Sequence, residues 1–143
     1  MRRFLFATTV DVRLLDEAAL TLLRVFTGLS LALAHGLGKV PPSAGFVDGV
    51  AGLGFPMPVV FAWAAALSEL VGGALLALGL LTRPAALAIA GTMAVAAFLR
   101  HAGDPYAKQE LALFYLVVAL LFAVRGANRL SLDHVVSRLR PGT

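Results

Sequence analysis

The 143-residue chain is 59% hydrophobic and 14% charged, with a mean hydropathy of +0.87. A soluble chain this short has too much surface to hide so much apolar area, so the composition excludes an ordinary soluble domain and points to lipid as solvent. The formal charge of +4 does not signal nucleic acid, because the basic residues sit at segment ends without interleaved aromatics. The absence of cysteine excludes disulfides and thiol relay chemistry carried by this chain.

Met1-Arg2-Arg3-Phe4-Leu5-Phe6 opens like a signal peptide, but its apolar run stops at Asp11, Arg13, Asp16 and Glu17 without a small-residue cleavage site. Retention of this segment is expected. A first span covers residues 18–37, close to the roughly 20 residues a bilayer core requires. Asp16 and Glu17 precede it, where acidic groups favour a helix start, and Gly36, Gly38 and Pro41-Pro42 end it. Residues 43–54 place Phe46, Val50 and Leu53 at helical spacing and predict a short interfacial or re-entrant piece.

A second span covers residues 58–81, and Thr82-Arg83-Pro84 then makes a tight turn. Pro84 suits the first turn of the third span, residues 84–99. The fourth span is less obvious, since its uninterrupted apolar stretch is only residues 111–124. Asp104-Pro105 is a cap and first-turn signal that extends it to residues 105–124. Ser131 can cap a last helix over residues 131–140, with Leu132, Val135, Val136 and Leu139 on one side. Asp133, His134, Arg138 and Arg140 lie on the other, as in a helix resting on a membrane surface. The fold class predicted is all-α: one membrane domain over residues 1–143, a bundle of four transmembrane helices.

Eight basic residues (Arg2, Arg3, Arg13, Arg83, Arg125, Arg129, Arg138 and Arg140) fall on one side of these spans, against Lys39, Arg100 and Lys108 on the other. The positive-inside rule then puts both termini in the cytoplasm. His35, Lys39, His101 and Glu110 lie toward the outer face, and the lone Trp63 fits an interfacial belt.

A charge near the centre of a spanning helix costs about 2.5 to 3.5 kcal/mol on insertion scales, so each needs a reason. Arg24 lies inside span one and Glu69 near the middle of span two, at nearly matching depth in antiparallel helices. The expectation is that they face each other and form an ion pair or hydrogen-bonded pair. Thr27, Gly28, Leu31 and His35 continue the Arg24 face, while Ala65, Gly72 and Gly73 let backbones approach Glu69. Glu110, Tyr115 and His101 could join from the outer side. Two readings stand side by side: a register pin for the bundle, or a ligand or proton site. His35 and His101 raise bis-histidine haem ligation, but two interfacial histidines without the geometric context are the plainer reading. No clear metal set is present.

Leu22-Leu23-Arg24, Ala34-His35-Gly36, Gly54-Phe55-Pro56, Glu69-Leu70-Val71-Gly72-Gly73, Gly79-Leu80-Leu81-Thr82-Arg83, Glu110 and Arg129-Leu130-Ser131-Leu132-Asp133, in this order, resemble the DoxX family. The resemblance implies a four-helix bacterial inner-membrane protein. Some relatives are linked to quinone-coupled oxidation of sulfur compounds or to membrane oxidoreductase complexes, and others serve as maturation or trafficking partners. The leading functional expectation is a membrane subunit of an oxidoreductase system holding a quinone near Arg24, Glu69 and His35, with electrons from a partner subunit or a bound cofactor. The alternative is a non-catalytic scaffold or assembly partner. A small-solute or proton pathway is less favoured, because spans two and three offer few polar residues beyond Ser68 and Thr92. Small residues on the helix faces also allow a homodimer.

Overall fold

The computed structural model describes residues 13–139. The N-terminal signal-like segment and the basic residues Arg2, Arg3 and Arg140 lie outside them. The described residues form six helices and no strand: α1 (Arg13–Lys39), α2 (Ala44–Gly52), α3 (Pro58–Leu78), α4 (Thr82–Arg100), α5 (Tyr106–Arg125) and α6 (Leu132–Leu139). Four of them, α1, α3, α4 and α5, are long and apolar enough to cross a membrane. The expected all-α architecture with four long apolar helices is the observed one.

The bounds differ where local physics overrides span counting. Helix α1 has 27 residues and outruns its predicted 18–37 at both ends. Its first turns are held by the chain after α5: Asn128 Nδ2 donates to Glu17 O at 2.7 Å, and the Arg129 amide donates to Glu17 Oε2 at 3.0 Å. At the other end Gly36 and Gly38 do not stop the helix, which continues as a π-helical stretch over Ser30–Gly36 and a tighter turn over Leu37–Lys39. Helix α3 ends early, at Leu78, because Gly79 turns left-handed with φ +67°. The Gly79 and Leu80 amides then bond back to Leu76 O and Leu75 O, closing a Schellman cap.

Helix α4 packs along α5, and α1 along α3. Their shared interior holds Leu31, Leu76, Ile89, Met93, Val118 and Phe122, all buried, while Leu22, Phe26, Leu87 and Val117 face outward where lipid would lie. The α1–α3 contact is backbone on backbone. A Cβ on Gly28 would fall 2.5 Å from both Gly73 O and Ala77 N, and one on Gly36 would run into Leu70 N. Such small-residue seams are how membrane helices approach when no hydrophobic drive acts between them.

Short π-helical turns also occur at Ser68–Gly72 in α3 and Ala96–Arg100 in α4. Those of α1 and α3 pack against each other. The predicted interfacial piece is α2, capped by Ser43, whose Oγ accepts from the Phe46 amide at 3.3 Å. It rests on the start of α3 through the buried Val50. Ser131 caps α6 as expected, its Oγ accepting from the His134 amide at 3.2 Å.

Candidate functional site

Buried charge in this bundle gathers at two levels. One lies at the end where α3 stops, α4 starts and α6 begins, called here the terminal end. The other lies toward the end that carries α2 and the 101–105 turn, the far end.

At the terminal end Arg24 is 1% exposed. Its Nη1 donates to Leu76 O and Ala77 O, both at 2.7 Å, and its Nη2 to Leu130 O at 2.8 Å. Leu76 and Ala77 belong to the last turn of α3, where carbonyls lack helical partners and the dipole favours a cation. The guanidinium therefore caps α3 and ties it to the chain entering α6. Asp133 does the complementary task. Its Oδ1 accepts from the Leu81 amide at 2.8 Å and its Oδ2 from the Thr82 amide at 3.0 Å, so it caps the start of α4 from another helix. Its own amide donates to Gly79 O at 2.7 Å. Burial pushes the Asp133 carboxyl up, but the bonds from Thr82 and Leu81 and the Arg24 charge together hold it below the usual carboxylate range.

At the far end Glu69 is 3% exposed and sits in the π-helical turn of α3. Lys39 Nζ reaches both carboxylate oxygens at 2.6 Å. The lysine is one-third exposed, and its ammonium also lies 5.5 Å from the centre of the Phe46 ring on α2. Beside this pair, the His35 and Tyr115 rings meet edge to face at 5.7 Å, and the Glu69 charge acts on Tyr115. Ser68 and Thr92 hydroxyls bond each other at 3.0 Å across α3 and α4.

The expected Arg24–Glu69 pair does not form. Gly36 of α1 lies against the Glu69–Leu70 backbone, whereas Gly28 already lies against Gly73 and Ala77. Arg24 is thus level with the end of α3, and Glu69 level with the end of α1 near Lys39. Each charge has its own partner. The structure does bring together Glu69, His35 and Tyr115, three of the residues singled out from the sequence. His101 stays in the far turn, its Nδ1 bonded to Asp104 Oδ2 at 2.7 Å. That bond, first, and the Lys108 charge lower the Asp104 carboxyl below its ordinary value. Asp104 therefore does not cap α5, which starts at Tyr106 without a side-chain cap. Glu110 is exposed on the outer side of α5, in a hollow with Tyr106, Phe114 and Val117, rather than turned into the bundle. Trp63 is also outward-facing.

Two participants were not foreseen. Lys39 read as a loop charge, yet it stands four residues after His35 and so on the same helix face. Asp133 was assigned to the solvated side of α6. The signal for its task is that Leu81-Thr82-Arg83-Pro84 opens a helix whose preceding residue, Leu81, has no capping side chain.

Four apolar spans around two buried polar centres define a multi-pass helical membrane protein. The family model described as DoxX matches residues 19–102, more than half of the chain. The chain belongs to the DoxX family. That match takes in Arg24, His35, Lys39, Glu69 and His101 and ends before Glu110, Tyr115 and Asp133. No curated protein and no solved structure matches the chain.

Proposed function

We propose that the chain is a bacterial inner-membrane subunit of an oxidoreductase system, with both termini cytoplasmic, and that a quinone headgroup meets it at the far-end cluster rather than beside Arg24. One observation carries this reading. Glu69 is a buried carboxylate whose bonding partner among the described residues is the partly exposed Lys39. Intramembrane ionisable groups are functional by default, and π-helical turns recur at functional sites.

The donor set fits a quinone. Ring carbonyls need donors, and Lys39 Nζ, the Tyr115 hydroxyl and a His35 ring nitrogen are the candidates. A bound quinone supplies two-electron, two-proton acceptor chemistry. The chain itself holds the ring and keeps a proton-accepting carboxylate at Glu69 Oε1 and Oε2 nearby. With no cysteine in the sequence, electrons come from a partner subunit or another bound group.

The test is organic extraction of the purified protein, followed by titration with added quinone. Co-purifying or titratable quinone is expected, with binding weakened about tenfold by Tyr115→Phe, the loss of one hydrogen-bond donor to a ring carbonyl. Repeated absence of quinone and of binding would sink the proposal.

A second reading is a non-catalytic scaffold or assembly partner. It is favoured by the terminal end, where Arg24 and Asp133 tie α3, α4 and α6 into one unit. Outward small residues such as Ala88 and Gly91 on α4 offer a face to a partner helix or a second copy. Glu69→Gln separates the two readings. If the fold and partner recovery survive while activity is lost, the scaffold reading fails.

A further inference from the structure

A hollow of about 490 Å³ opens at the terminal end, lined by Glu17, Arg125, Asn128, Arg129, Asp133 and His134. Its size falls within the range of about 300–1,000 Å³ typical of small-molecule sites. It lies at the exit of one span and the entry of another, since Arg125 is the last residue of α5 and Glu17 stands in the first turns of α1. Bulk solvent and lipid headgroups meet at that level.

Its lining carries both signs of charge, and they are not used alike. Asp133 gives both oxygens to the Leu81 and Thr82 amides. Glu17 gives Oε2 to the Arg129 amide, and its Oε1 has no partner among the described residues. The Arg125 and Arg129 guanidinium groups likewise make no hydrogen bond or ion pair among the described residues. Two free cationic donors therefore face the same space as one free carboxylate oxygen. Exposed apolar residues lead away from it along the lipid side, Leu121 and Val124 on α5 and Leu132 and Val136 on α6.

We infer that this hollow binds the headgroup of a zwitterionic aminophospholipid, a phosphodiester joined to a primary ammonium. The arginines take the phosphate oxygens, with the planar donor geometry that suits them. Glu17 Oε1 takes the ammonium, and the acyl chains lie along Leu121, Val124, Leu132 and Val136. A purely anionic headgroup meets the Glu17 and Asp133 charges with no ammonium to answer them. A choline headgroup has no N–H to give Glu17.

The test is native mass spectrometry of the full chain in detergent with phosphatidylethanolamine, phosphatidylcholine or phosphatidylglycerol of matched acyl chains. Preferential retention of phosphatidylethanolamine is expected. Arg125→Gln combined with Arg129→Gln should weaken that retention about thirtyfold, the loss expected for two membrane-surface arginines. Glu17→Gln should cut the preference over phosphatidylcholine about fivefold, the weight of one exposed ion pair. Lys108→Gln, a positive charge removed at the opposite end of α5, should leave both unchanged, and unfolding curves confirm that each variant is folded. Equal retention of the three lipids, a preference for phosphatidylglycerol, or an unaltered double-arginine variant overturns the inference. So does displacement of the lipid by an equal concentration of soluble phosphoethanolamine, which would assign the hollow to a soluble ligand.

Discussion

Arg24 donates to three carbonyl oxygens, two on α3 and one before α6. An apolar residue of similar length would take the donor from Ala77 O and Leu130 O and leave Leu76 O only the Gly79 amide. Each such orphan costs about 1–3 kcal/mol. Arg24→Met is therefore expected to lower stability by about 3 kcal/mol, read from unfolding of the detergent-solubilised protein. Arg24→Lys should fall between, because a point charge cannot span a fork of three acceptors. Wild-type stability in Arg24→Met would end the view of this residue as a clamp. The sequence marks Arg24 and Glu69 as exceptional because hydrocarbon tolerates charge poorly, and both are indeed buried. Their partners are not legible there. Twelve positions separate Arg24 from Gly36, which touches the Glu69 backbone, and that is about 18 Å of helix. Span limits alone leave the axial offset of two antiparallel helices undetermined. Glycines buried at the seam determine it instead.

At the scale of the element, that seam is what a helix-to-helix comparison can test. Gly28 and Gly91 are both helical glycines in spanning segments, so helix propensity alone predicts that alanine helps at either, by up to about 1 kcal/mol. Their surroundings differ. A Cβ at Gly28 would press on α3 backbone, which cannot swing aside as a side chain can, while nothing lies within 4 Å of one at Gly91. Gly28→Ala should therefore destabilise by about 1–3 kcal/mol, and Gly91→Ala should be neutral or slightly stabilising, both measured by thermal unfolding in the same detergent. Equal effects would mean that α1 and α3 do not meet through their backbones. The existence of the described helices was legible in hydrophobic runs, in the spacing of Phe46, Val50 and Leu53, and in Ser131. Their ends were less so. Gly36 and Gly38 read as terminators, but tertiary contacts with α3 and the Lys39–Glu69 pair carry α1 past them. Gly79 was read as part of span two, yet its left-handed conformation is where α3 stops.

For the molecule as a whole, four crossings return the chain to the side on which it began. The clamp at the terminal end makes this a structural requirement as well as a parity count. Glu17, Arg24, Leu130 and Asp133 are joined to one another or to the same helix ends, so the start of α1, the α3–α4 turn and α6 must share one side of the bilayer. Helix α2 and the 101–105 turn must share the other. Because the chain has no cysteine, single introduced thiols report position without background. Ser137→Cys on α6, Asp48→Cys on α2 and Gly103→Cys in the far turn are all exposed. A membrane-impermeant thiol reagent applied to intact cells should label Asp48→Cys and Gly103→Cys. Ser137→Cys should become reactive only when the membrane is opened, as the excess of arginine at its end requires. Labelling of Ser137→Cys from outside, with the other two protected, would invert the orientation but keep the fold. Labelling of Ser137→Cys and Asp48→Cys from one side would require an even number of crossings between them instead of the three spans α3, α4 and α5, and the bundle described here could not stand.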